Sequence, residues 1–167
     1  YFDCFSGISG DMTLGALVDA GADPEILKGE VAKLGLSGYV LRFDKVERQG
    51  ISGTQATVEM DKSVAQPHRH LSDILDIIDG SSLSSSVKHK AGAIFKTLAE
   101  AEAKVHGSSV DHVHFHEVGA VDAIVDVVGA VIGLELLGVA QVFVSPLPTG
   151  RGNIKSAHGI LPVPAPA

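Results

Sequence analysis

The sequence predicts an α/β fold, a mixed β-sheet covered by helices in a single domain fragment, with α+β as the alternative arrangement. Three observations lead there. Segments that alternate with the period of a strand interleave with segments of helical period along the chain. At 167 residues the chain has the size of one domain, enough to bury roughly two thirds of its unfolded surface. Hydrophobic residues make up 45% and aromatic ones only 5%, with no tryptophan, so the core has to be aliphatic.

The elements follow in order. Residues 1–5, YFDCF, have the pattern of a short buried strand, and SGISGDM is a glycine-punctuated turn. Leu14, Leu17 and Val18 then recur at helical spacing from Met12 to Ala20, with Asp11 at the expected N-cap and Gly21 as terminator. Asp23-Pro24 opens a second helix, to about Leu34, because proline is tolerated at the first helical position. Residues 39–60 alternate through Leu41, Phe43, Thr54, Ala56 and Val58 and turn at Gln49-Gly50, which predicts a β-hairpin. SVAQPHRH is a loop, and Leu71, Ile74, Leu75 and Ile78 mark a short amphipathic helix capped near His70 or Ser72. After a serine-rich break, a helix from about Ser84 to Val105 carries a stripe of Val87, Ala91, Ile94, Phe95, Leu98 and Ala99. Residues 120–137 form the most apolar helix, Gln141–Ser145 a strand, and the proline-rich tail an extended segment.

A formal charge of −7 argues against nucleic acid or an anionic membrane as partner and favours cations or small ligands held by specific groups. With Cys4 the only cysteine, no intrachain disulfide can form, and a cytoplasmic setting is the default. The N-terminus has no signal-peptide pattern. The run from Ala120 to Val139 is interrupted by Asp122, Asp126, Glu135 and three glycines, which makes it a core helix rather than a membrane span. The chain starts at Tyr1 within a strand-like stretch and stops in a proline run, so it is expected to be part of a longer protein. Self-association is left open.

The chemistry gathers in DHVHFHEVGAVDAIVDVVGA at 111–130. In an extended segment His112, His114 and His116 would share a face, a donor set suited to zinc, nickel, copper or iron. Glu117 would point the other way unless a turn follows. Asp122 and Asp126 lie one helical turn apart among valines, and buried carboxylates are costly unless paired, hydrogen-bonded or metal-bound. The helix dipole accounts for Asp122 in the first turn. Asp126 lies too deep for that and is the strongest single functional candidate. In SGISGDM, the residues Ser6, Gly7, Ser9, Gly10 and Asp11 present a turn and a helix N-terminus where an anion could sit. Asp3 and Asp11 could meet at one mouth of the sheet. His68 and His70 in the loop, and His158 in the tail, are further imidazoles that a metal could recruit. Cys4 is expected to be packed rather than reactive.

Four blocks in the same order, DCFSGISGDMTLGALVDAG at 3–21, HRHLSDI at 68–74, VHFHEVGAVDAIVDVVGA at 113–130 and AHGILPVPAPA at 157–167, resemble the LarC family of nickel-insertion proteins. The resemblance spans essentially the whole chain and matches the N-terminal part of the family pattern. It implies nickel as substrate metal. It also implies insertion of that nickel into pyridinium-3,5-bisthiocarboxylic acid mononucleotide, through two Ni–S bonds and one Ni–C bond, in a CTP-dependent reaction of a lyase-type nickel chelatase. The CTP site, with its magnesium or manganese, is implied for a C-terminal domain absent here, which would be a partner of these residues. Activity of residues 1–167 by themselves is left open.

The combined expectation is a nickel-handling cluster of His112, His114, His116, Glu117, Asp122 and Asp126, with His68, His70 and His158 as further contributors, and the glycine turn 6–11 as the seat of the mononucleotide phosphate. Two other readings remain. One is a structural or interaction domain whose histidines are each satisfied by separate partners. The other is a metal-dependent hydrolase using Asp3, Asp11 and Asp126 on magnesium, which leaves the imidazoles unexplained.

Overall fold

The computed structural model describes residues 1–61, 63–64, 67, 69–115, 120–156 and 159–164, the side chains of His114 and Ser156 excepted. Its helices are α1 (Gly10–Asp19), α2 (Pro24–Ala32), α3 (Leu71–Gly80), α4 (Ser85–His106) and α5 (Val121–Leu136). Its strands are β1 (Tyr39–Arg48), β2 (Ile51–Met60), β3 (Arg69–His70), β4 (His114–Phe115), β5 (Asn153–Ser156) and β6 (Gly159–Pro162), and a 3₁₀ turn spans Val110–His112.

The most apolar helix becomes the centre. Val121, Ile124, Val125 and Val128 of α5 are fully buried, and α1, α2 and α4 pack around it. Two glycines set how closely. A Cβ at Gly129 would stand 2.9 Å from Leu14 Cδ2, and one at Gly133 would stand 2.8 Å from Leu17 Cδ1. The glycine face of α5 is therefore taken up by α1 within the chain. Helix α3 lies on α4, and Ile74, Ile78 and Phe95 join the core from there.

The β1–β2 hairpin turns at Gln49-Gly50 as expected, with φ of +53° and +79°, and its register runs from Tyr39 opposite Met60 to Arg48 opposite Ile51. Helix α1 lies on β2, where a Cβ at Gly15 would overlap the Thr54 carbonyl. The end of α1 is tied to the hairpin by Asp19, which accepts hydrogen bonds from Thr54 N at 2.7 Å and Thr54 Oγ1 at 2.6 Å and pairs with Lys45. Asp23 caps α2, accepting from Glu25 N at 2.8 Å and Ile26 N at 3.1 Å.

Helices covering strands are thus what the chain adopts. Among the described residues the strands are divided into three antiparallel pairs, β1-β2, β3-β4 and β5-β6, and Phe2–Val144 supplies one parallel bridge. Some elements differ from expectation. Residues 1–5 are not a buried strand: only Phe2 pairs, and Tyr1 and Phe5 are each 81% exposed. Cys4 alone of this segment is sealed, as alternate residues of an extended chain face opposite ways. Gln141–Ser145 is likewise reduced to the bridge at Val144. Helix α1 begins at Gly10 with Ser9 as N-cap rather than Asp11, because Thr13 N already donates to Ser9 O at 2.9 Å. The tail carries a hairpin, β5–β6, that its prolines concealed. No helix among the described residues is long and apolar enough to cross a membrane.

Candidate functional site

The site begins where the starts of two helices meet. Asp122 sits exposed in the first turn of α5, where the unpaired N–H groups favour a negative charge. One turn on, Asp126 is half-buried, and its Oδ1 is sealed from water with no hydrogen-bond partner among the described residues. The N-terminus of α1 stands against it, and a Cβ at Gly10 would land inside the Asp126 carboxylate. Gly10 is therefore a close-approach glycine: any side chain there would expel the carboxylate.

Burial pushes the Asp126 carboxyl up to about 6, and the negative charges of Asp11 and Asp122 add to the effect. Asp11 is exposed, takes a hydrogen bond from Ser9 Oγ, and accepts from Met12 N at 2.9 Å. Beside Asp126 opens a cleft of about 360 Å³ between α1, α4 and α5, walled by Thr13, Ile94, Ala123, Val127 and Ala130. A carboxylate with one oxygen lacking a donor among the described residues, at the edge of an apolar cleft, is arranged to receive a cation or a proton.

The remaining turn residues serve the chain path. Gly7 has φ +94° and donates its N–H to Cys4 O at 2.9 Å, a tight turn that favours glycine. Ser6 and Asp3 are exposed. Thr13 N and Thr13 Oγ1 both donate to Ser9 O, at 2.9 and 2.8 Å.

A second locus forms from two histidine-bearing segments more than forty residues apart. β3 and β4 pair antiparallel, Arg69 opposite Phe115 and His70 opposite His114. Val113 and Phe115 are buried, which fixes the inward side of this segment. His70 precedes α3 as its N-cap, its N–H donating to Asp73 Oδ2 at 2.7 Å. Its ring Nδ1 lies 3.2 Å from Val113 O. This contact holds the ring against the segment that leads into β4.

His112 departs from the expected face. It ends the 3₁₀ turn instead of lying in extended chain, because His112 N donates to Ser109 O at 3.0 Å and Val113 N to Val110 O at 3.3 Å. Its ring is engaged by Ser109 Oγ at 2.7 Å. His68, His116, Glu117 and His158 lie outside the described residues, and so does the side chain of His114. Among the described residues no three histidine, cysteine or acidic side chains gather as a metal cluster.

Sequence reasoning missed Arg69, Thr13 and the role of Ile94. Arg69, flanked by histidines in a polar loop, is the one buried charged side chain among the described residues. Ile94 belongs to the helical stripe yet is 44% exposed, because it overhangs the cleft.

Known proteins resemble this chain throughout. Proteins of two strains of Desulfitobacterium hafniense, each named pyridinium-3,5-bisthiocarboxylic acid mononucleotide nickel insertion protein, are 57% identical over 167 residues, covering all of this chain and 41% of the relative. A protein of the same name from Geobacillus kaustophilus is 52% identical over 175 residues, covering all of this chain and 43% of its own length. The chain therefore spans under half the length of the curated relatives it matches. No solved structure gives a significant match. The family model described as nickel insertion protein matches residues 1–167, and the chain belongs to that family.

Proposed function

We propose that the protein containing this chain inserts nickel into pyridinium-3,5-bisthiocarboxylic acid mononucleotide, in a CTP-dependent cytoplasmic reaction, and that residues 1–167 receive the Ni²⁺ that is inserted. The names of the relatives support the substrate pair. The β3–β4 pairing that sets His70 opposite His114 is the observation that carries the role of this chain. His68, His116, Glu117 and His158 belong to the same proposed donor pool. CTP and its divalent cation are assigned to the part of the protein outside these residues.

The chemistry of hand-over favours such donors. Imidazole and carboxylate bind Ni²⁺ yet release it to sulfur, whereas a thiolate cage would retain it. The only cysteine, Cys4, is buried. The corner of Asp11, Asp122 and Asp126 adds negative potential beside α1. Those charges weigh against a phosphate at the glycine turn and make that corner a seat for a cation. His112, whose ring Nδ1 meets Ser109 Oγ, belongs to the same proposed donor pool.

Calorimetric titration of the full-length protein with nickel tests the proposal. Replacing His70 and His114 together by Ala should weaken nickel binding at least tenfold. Unaltered stoichiometry and affinity in the double variant would reject it.

A further inference from the structure

Eight aromatic side chains occur in the chain, and their exposure is uneven. Phe95 and Phe115 are sealed in the core, and Phe2, Tyr39 and Phe43 are half-buried. The three exposed ones are Tyr1 and Phe5, each at 81%, and Phe143 at 63%. All three lie on the two segments joined by the Phe2–Val144 bridge. Val142, Val144 and Leu147 of the second segment are exposed as well.

The pairing itself is well made. Phe2 N donates to Phe143 O at 2.8 Å, Ser145 N to Phe2 O at 2.9 Å, and Cys4 N to Ser145 Oγ at 2.7 Å. Yet no other strand joins either segment among the described residues. Parallel strands occur with both faces covered, and a two-stranded unit does not stand alone in water. One face here has cover, since Phe2 and Val142 border a cleft shared with Leu17 of α1 and Leu134 and Leu137 of α5. Tyr1 borders the same cleft, whereas Phe5 and Phe143 show their rings to solvent. Exposed aromatic rings carried on one paired unit are the kind of surface that a partner covers.

The matched relatives indicate what supplies the cover. They are more than twice as long as this chain, which accounts for 41–43% of them. A surface that has to be covered in every molecule is most readily covered by a segment already tethered to it, whose effective concentration exceeds that of any free partner.

We propose that the part of the full-length protein outside these 167 residues docks on this unit, adding a strand beside the Phe2–Val144 pair and burying Phe5 and Phe143. Phe5 immediately precedes the turn of Ser6 to Asp11, so the docked part is carried to the edge of the Asp126 corner. The inference is independent of where nickel binds.

Photo-crosslinking of the full-length protein tests it. With p-benzoylphenylalanine in place of Phe143, and separately of Phe5, mass spectrometry identifies the captured peptide, and mixed ordinary and heavy-isotope protein separates capture within a molecule from capture between molecules. Capture of peptides outside residues 1–167 of the same molecule is expected. Capture of a second copy, capture confined to residues 1–167, or no capture overturns the proposal. Amide exchange supplies a second reading. In full-length protein, Phe5→Glu with Phe143→Glu should speed exchange at residues 2–5 and 142–145 at least tenfold without changing α4, and equal rates at those residues overturn it.

Discussion

A carboxylate oxygen sealed from water and lacking a donor, as Asp126 Oδ1 is among the described residues, costs about 1–3 kcal/mol relative to a satisfied one. With a carboxyl pushed up to about 6, Asp126 is mostly ionised at neutral pH, so the penalty falls on the charged form. Asp126→Asn should therefore make the chain more stable at pH 8 in metal-free buffer, by on the order of 1 kcal/mol after allowing for solvent screening. Urea unfolding measures that gain, and calorimetry should show weaker nickel binding in the same variant, a trade of function for stability. Asp19 behaves in the opposite sense. Hydrogen bonds from Lys45 and Thr54 hold it at about 2, below its ordinary 3.8. Its contribution is present above pH 4 and is lost as pH falls through 2, because the unfolded chain takes up the proton first. Since Asp19 is partly exposed, that contribution is on the order of 1 kcal/mol. Acid unfolding of Asp19→Asn should lack this step between pH 4 and pH 2.

At the scale of elements, glycines decide how closely α1 approaches its neighbours, and they do not respond alike to a methyl group. Alanine is favoured over glycine in a helix by up to about 1 kcal/mol. At Gly15 the added Cβ meets the Thr54 carbonyl, which β2 cannot withdraw because it is paired with β1 along its length. At Gly133 it meets Leu17 Cδ1 at 2.8 Å, with Leu17 Cβ at 3.3 Å, so the close contact is with a side-chain end that yields more readily than a paired carbonyl. Gly15→Ala should destabilise by about 2–3 kcal/mol and Gly133→Ala by under about 1 kcal/mol, with the order checked by denaturant midpoints. These elements were legible in sequence to the extent that their signals are local. Asp23-Pro24 opens α2, Gln49-Gly50 turns the hairpin, and the valine stripe marks α5 within a residue of its observed ends. What pairs distant segments has no local signature. Nothing in HRH or in HVHFHE states that His70 lies opposite His114, and nothing in SGISGDM states that Gly10 makes room for Asp126. The tail misled for a related reason: its prolines favour extended chain, and strands are extended chain that finds a partner.

For the whole molecule, a helical core around α5 holds two chemical loci at its periphery, the β3–β4 histidine pairing and the Asp126 cleft, while the Phe2–Val144 unit carries the exposed aromatics. That division suits the proposed roles, metal reception at the histidines and docking at the aromatics. The histidine half is the central claim, and diffraction from nickel-soaked crystals, measured at the nickel absorption edge, tests it most directly. The expected result is an anomalous peak within coordination distance of the His70 ring on the β3–β4 ladder. A nickel peak elsewhere on the chain with that ladder empty, or no nickel peak, would contradict it.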